Sequence, residues 1–225
     1  MSDTGPLARS PIPVAEPAGH AHGWHVSARR SSAGLRLADH TASAKVVVRA
    51  HPRGVMAERV GVGVGRAART GGRHLICGYA PGEWLAIATL DRRAALWAHL
   101  EALAGGAEDL RGAWFDETHG GPKARKLASL VDVTHGRVLL RLTGAHAADA
   151  LSRICGVDLH DDVTPGGAAL RTSVAALVTE IVRDDVRGER SYLLGCEWSS
   201  GEYLWDSVMR AGAEFGIDAD GARDL

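Results

Sequence analysis

The chain has 225 residues, 45% hydrophobic and 24% charged, a composition that suits a folded domain and excludes a disordered polymer. With 26 basic and 27 acidic residues the formal charge is -1, so no field of one sign exists to draw nucleic acid or an anionic membrane. Three widely spaced cysteines, Cys77, Cys155 and Cys196, exclude a disulfide framework and a structural zinc site.

Residues 1–35 are rich in Pro, Gly, Ser and His and lack apolar periodicity, which predicts a flexible N-terminal arm. The arm opens without an apolar signal region. No later run approaches the roughly 18 apolar residues of a spanning helix, so a cytoplasmic protein is expected. The remainder, 36–225, reads as a single α+β domain. Its first elements are a valine-rich strand at 44–49 and a short helix at 54–62. Strands at 74–79 and 84–89 follow, joined by the turn sequence Ala80-Pro81-Gly82-Glu83 as a hairpin. A helix is predicted over 91–103, with Asp91 as N-cap and Gly105-Gly106 as stop. The segment 104–127, with its glycines and charges, is a linker.

Beyond it come strands at 130–133 and 137–142, where Val138, Leu140 and Leu142 share one face and Arg137 and Arg141 the other. A helix at 145–155, strands at 171–177, 178–183 and 191–197, and a helix at 200–215 complete the set. In the last helix Leu204, Val208, Ala211 and Phe215 line one face. Ser199 and Glu202 have capping-box spacing, and Gly216 supplies the stop. The order repeats: two tandem β-α-β-β-α halves, about 44–104 and 130–216, each close to the ferredoxin-like split βαβ unit.

Few residues suggest chemistry. Gly61-Val-Gly-Val-Gly65 lacks the third glycine of a dinucleotide fingerprint and follows a helix instead of a strand, so it reads as a turn. His20, His22 and His25 have no cysteine or carboxylate at ligand spacing, and no metal site is assigned. Asp132-Val-Thr-His-Gly-Arg137 is the most concentrated polar run. It is read as a strand-to-strand turn in which Asp132 and Thr134 bond the backbone and Gly136 takes a positive φ. Leu159-His160-Asp161-Asp162 ahead of Pro165 reads as a surface loop. Of six tryptophans, Trp24 and Trp114 fall in segments read as loops, where a large aromatic suggests docking. No catalytic, cofactor or metal residue is assigned in the chain.

An ordered series of segments carries a family resemblance. Arg9-Ser10-Pro11-Ile12, Pro81-Gly82-Glu83-Trp84-Leu85, Asp132 to Val138, Leu142-Thr143-Gly144, Asp158-Leu159-His160, Arg171-Thr172 and Gly201-Glu202-Tyr203-Leu204-Trp205 together resemble the gamma subunit of heterotetrameric sarcosine oxidase. The linker 109–126 and the His-containing arm do not match. The resemblance implies the folate-binding fold of aminomethyltransferases, consistent with the tandem halves. It implies a non-catalytic subunit of a complex that demethylates sarcosine to glycine, releasing hydrogen peroxide and formaldehyde or methylene-tetrahydrofolate. The alpha, beta and delta subunits are then the partners, carrying FAD, FMN, NAD, tetrahydrofolate and zinc. Trp24, Trp114, Arg137 and Arg171 are the expected partner contacts, because Trp and Arg dominate interface hot spots. The alternatives are a stand-alone folate-binding one-carbon transferase-like protein and the gamma subunit of a related N-methyl amine dehydrogenase. The iron–sulfur assembly branch of the folate-binding fold carries a Lys-Gly-Cys motif, from which Arg153-Ile-Cys155-Gly156 departs.

Overall fold

The computed structural model describes residues 7–70, 74–105, 108–109 and 127–222. In chain order the strands and α-helices are β1 (Ala18–Ala21), β2 (Trp24–Ser27), β3 (Leu35–Asp39), β4 (Ala44–Ala50), α1 (Val55–Val60), β5 (Arg66–Thr70), β6 (His74–Ala80), β7 (Glu83–Ala88) and α2 (Arg93–Ala104). Then come β8 (Glu108–Asp109), β9 (Leu127–Asp132), β10 (Arg137–Gly144), α3 (Ala147–Ser152), β11 (Ala169–Val174), β12 (Leu177–Arg183), β13 (Ser191–Glu197), α4 (Gly201–Gly212) and β14 (Ile217–Asp220). Short 3₁₀ turns lead into α2 and flank α4. No helix among the described residues is long and apolar enough to cross a membrane.

The chain divides into two compact units. One runs Ala44–Thr134; the other joins the chain up to Ser43 with the chain from His135 onward. The inserted unit has a six-stranded sheet of order β5-β6-β7-β4-β9-β8, and the discontinuous unit one of order β11-β12-β13-β10-β3-β14. Each sheet places a three-strand meander beside the strand that opens the repeat. The expected α+β character and internal repetition are present. The central pairs β4–β7 and β10–β13 are antiparallel. In the inserted unit three strands, not two, separate the helices. The extra one is β5, whose run of two arginines, two alanines and a threonine gives no apolar alternation to read.

Alternation sets which face each strand buries. In β10, Val138, Leu140 and Leu142 are fully buried and join Leu204 and Val208 of α4 and Leu151 of α3 in one core. The face assigned to Arg137 and Arg141 is buried too: Leu139 is 2% exposed and Arg141 5%. In the inserted unit Val46 and Val48 of β4 and Ala86 and Ala88 of β7 pack with Met56, Leu96 and Leu100. Burying each such Leu or Val contributes about 1.5–3 kcal/mol relative to exposure.

The N-terminal segment is packed where composition predicts a free arm. Residues 18–27 form the hairpin β1–β2, Ile12 lies in the core of the discontinuous unit, and Trp24 is 3% exposed. The anchor downstream is polar: Arg29 Nε donates to the Ala219 carbonyl (2.9 Å), and its Nη2 bonds both carboxylate oxygens of Asp218 (3.0 Å). These bonds, made largely from side chains to a distant strand, leave no periodicity in the sequence. Neither predicted N-cap residue occupies the cap position of its helix. Asp91 sits in a 3₁₀ turn, and α4 starts after Ser200 with no side-chain cap. Gly216, at φ +66°, does end the last helical segment. In the β6–β7 turn Pro81 precedes Gly82 at φ +77°, and a Cβ on Gly82 would stand 2.1 Å from the Ala50 carbonyl oxygen, so only glycine fits.

Candidate functional site

Two of the four predicted contact residues come together. Arg137 opens β10 and Arg171 lies in β11, and both bond Glu180 of β12 from the same face of the sheet. The register explains this: Arg171 faces Glu180 directly, Glu180 faces Gly195, and Arg137 faces Glu197. Arg137 therefore reaches Glu180 across β13 at Gly195. A side chain there would intrude, since its Cβ would lie 3.1 Å from Glu180 Oε2. Arg137 Nη1 also donates to Glu197 Oε1 (2.9 Å), and Arg171 Nε to Glu180 Oε1 (3.3 Å). The result is a ladder Arg171–Glu180–Arg137–Glu197. Its middle is buried, with Glu180 5% exposed and the Arg137 side chain 18%, while its ends are open, at 38% for Arg171 and 70% for Glu197. Each cation of the ladder has a carboxylate partner.

Glu180 was not legible as a site residue. The signal was the two-residue turn Ala175-Ala176, which puts residues 171 and 180 opposite each other. Two alanines are not turn-formers, yet both adopt positive φ (49° and 65°).

Trp24 is not an exposed contact. Its ring stacks on His135 at 4.9 Å with planes 9° apart, inside its own unit, and docking by an exposed indole does not apply to it. Trp114 lies outside the described residues. The polar run 132–137 divides between the units after Thr134. Asp132 Oδ1 accepts the Thr134 amide (2.8 Å) and its Oδ2 accepts Arg93, and Thr134 Oγ1 accepts the Lys45 amide (3.1 Å). Burial would raise the Asp132 carboxyl, but the bonds from Thr134 and Arg93 prevail and hold it below the usual carboxylate range. This is the backbone-bonding turn expected of the run, except that Gly136 does not take a positive φ.

All three cysteines are buried free thiols, and burial pushes Cys196 up to about 11, away from an activated nucleophile. His20 and His25 face each other across the β1–β2 hairpin with ring centroids 5.5 Å apart, and His22 sits in its turn. Among the described residues no group of three or more His, Cys, Asp or Glu side chains is placed to hold a metal ion. The Gly61–Gly65 run is a turn, as expected, and borders an open apolar groove of about 360 Å³ with Pro52, Pro81 and Trp84. In the discontinuous unit a cavity of about 110 Å³ is lined by Arg36, Arg141, Arg187, Glu189 and Asp220 among others.

Comparison with known proteins places these features in a family context. The model of the GCVT N-terminal domain matches residues 99–224. Among solved structures, a chain of the heterotetrameric sarcosine oxidase from Corynebacterium sp. U-96 is similar in fold with a TM-score of 0.62 at 20% identity. That match covers 88% of this chain and 91% of that one. The glycine cleavage system aminomethyltransferase T from Bartonella henselae is similar with a TM-score of 0.62 at 15% identity, covering 91% of this chain and 55% of that one. A search of curated protein sequences returned no match.

Proposed function

The chain belongs to the family of the GCVT N-terminal domain, and on that premise we propose that it is a non-catalytic, gamma-type subunit of a heterotetrameric sarcosine oxidase-like complex. The fold match supports this reading: it covers 88% of this chain and 91% of the oxidase chain at a TM-score of 0.62.

In the proposed complex the alpha, beta and delta subunits hold FAD, FMN, NAD, tetrahydrofolate and zinc. Sarcosine, water and oxygen become glycine, formaldehyde and hydrogen peroxide: two electrons leave the N-methyl group and reduce the oxygen. When tetrahydrofolate takes the methyl carbon, methylene-tetrahydrofolate replaces formaldehyde. The side chains of this subunit agree with a role outside that chemistry. Burial holds the Cys196 thiol protonated, and Glu180 accepts two guanidiniums. The cavity of about 110 Å³, lined by charges of both signs, is smaller than the ~150 Å³ that admits a single benzene ring. The larger groove has no carboxylate in its lining. The open rim of the ladder, at Arg171 and Glu197, is the proposed contact surface.

Affinity capture of the tagged full chain from its native cells tests this. Larger flavin-containing subunits should co-elute, with peroxide formed only when sarcosine is added. Recovery of the chain alone, amine turnover by the isolated chain, or its tight stoichiometric binding of a reduced folate would overturn the proposal.

A further inference from the structure

The glycine run of the inserted unit, Gly61-Val-Gly-Val-Gly65, has no part in the arginine ladder, yet it walls the open groove of about 360 Å³. Pro52, Ala57, the Pro81-Gly82 turn and Trp84 complete the lining. The only polar side-chain atom in that lining is the indole Nε1 of Trp84, and it already donates to the Val62 carbonyl (2.7 Å). This bond ties the glycine loop to a buried tryptophan, so the groove is formed before anything enters it.

Size and chemistry decide between kinds of occupant. The volume is more than twice the ~150 Å³ that takes a benzene ring, enough for two apolar side chains. A site for a free small molecule sets a few polar groups among apolar walls to fix orientation, and no side chain of this lining offers one. An apolar centre inside a charged rim is instead the anatomy of a protein contact. Val64, 57% exposed between two glycines, is one of the few large apolar side chains left to solvent among the described residues.

The charge around the groove has a sign. Segment 49–66, which supplies most of the lining, carries Arg49, Arg53, Arg59 and Arg66 against Glu58. From the β6–β7 turn Glu83 bonds Arg49 (3.1 Å), so that pair cancels. Arg59 donates to the Leu103 and Gly105 carbonyls, which leave its charge uncompensated. Arg53 and Arg66 are exposed and have no carboxylate partner among the described residues. With Glu83 included the region is net +2, in a chain whose formal charge is -1. Complementarity therefore asks for an occupant with carboxylates beside its apolar groups.

We propose that this groove docks an extended acidic segment of another protein. Two apolar side chains of that segment fill the space against Val64 and Trp84, and its flanking carboxylates pair with Arg53 and Arg66. The site does not depend on the assembly proposed above, whose contact surface belongs to the discontinuous unit.

The test titrates the full chain into a set of fluorescein-labelled octapeptides, reading anisotropy, with amide chemical shifts to locate the contact. Two central positions of the peptides vary among Leu, Ile, Met and Phe, and Asp and Glu flank them. At least one peptide should bind saturably, with shifts confined to residues 52–66 and 81–84. Ser at both central positions, or Lys in place of the acids, should weaken that peptide about tenfold or more. Val64→Ser should weaken it about fivefold to tenfold, and Arg53→Glu with Arg66→Glu about tenfold at low salt. Neither change should move the thermal midpoint, because the side chains are exposed. Val178→Ser, at a site 72% exposed on the other unit, should leave binding unchanged. Failure of every peptide to saturate overturns the proposal. So does equal binding of the Ser-substituted peptide, which would mean a plain basic surface, and so does binding unmoved by Val64→Ser. A dimer of the chain dispersed by Val64→Ser would overturn it too, since a second copy would then fill the groove.

Discussion

Glu180 is the point at which the ladder can be broken with the clearest expectation. The carboxylate is 5% exposed and accepts both Arg137 and Arg171. Removing one member of a fully buried ion pair costs about 3–5 kcal/mol, because the survivor stays desolvated and unpaired. Here the survivors are partly wetted, at 18% and 38% exposure, and Arg137 keeps Glu197. The cost of Glu180→Ala therefore falls to about 2–3 kcal/mol, or a drop of roughly 5–10 °C in melting temperature for a chain of this size. Double-mutant cycles apportion it. Glu180 with Arg137 should show a coupling of about 1.5–3 kcal/mol, as for a hydrogen bond between charged groups shielded from water. Glu180 with Arg171 should show less than about 1 kcal/mol, as for a pair open to solvent. Urea unfolding followed by circular dichroism gives both numbers, provided the slope m is unchanged. A Glu180→Ala cost under about 0.5 kcal/mol, or a stronger coupling to Arg171 than to Arg137, would refute the reasoning from burial.

Three further outcomes follow from backbone and charge. Gly82→Ala combines φ +77° with a Cβ 2.1 Å from the Ala50 carbonyl oxygen and should cost more than about 3 kcal/mol, whereas Gly63→Ala, with open space at its Cβ, should stay within about 0.5 kcal/mol; expression yield and urea midpoints check the contrast. Replacing Ala175-Ala176 by Asn-Gly relieves two left-handed alanines and should stabilise by about 1 kcal/mol net of the extra freedom glycine gives the unfolded chain, measured as a rise in melting temperature. His74 has its pKa lowered by burial, then by the neighbouring His99 and Arg92, so the unfolded chain binds the proton more readily than the folded one. Stability should hold above the unfolded value of about 6.5 and fall as pH drops below it; His74→Gln should flatten the urea midpoint between about pH 7 and 5, above the range where carboxylates titrate.

Elements whose faces alternate or repeat were legible before the structure: β4, β6, β7, β10, β12, β13, α2 and α4 lie within a few residues of their predicted positions. Their apolar residues point one way and supply both cores. What escaped prediction is stabilised differently. β5 is an edge strand with only partial burial, so arginines occupy positions that a central strand would fill with Val or Ile. β14 is an edge held by parallel pairing to β3, which lies some 180 residues earlier, and by Arg29 and Ser31. Long-range bonds of this kind leave no period in a local window, and the same bonds turn the expected arm into packed structure.

The candidate site follows the same logic one level up. Arg137 and Arg171 could be picked out by residue type, but their meaning depended on which strand faces which. That required the exact residues of the β11–β12 turn. Alanines 175 and 176 concealed it, since they belong to no turn signature and are driven to positive φ by the pairing on either side. Trp24 failed in the opposite sense: residue type suggested a contact, and the hairpin in which it lies turns the indole onto His135. A large aromatic in a Gly-rich stretch therefore marks docking only when the stretch has no nearby partner strand. Here β1 lies just before Trp24 and pairs with its strand, so the ring is packed within its own unit.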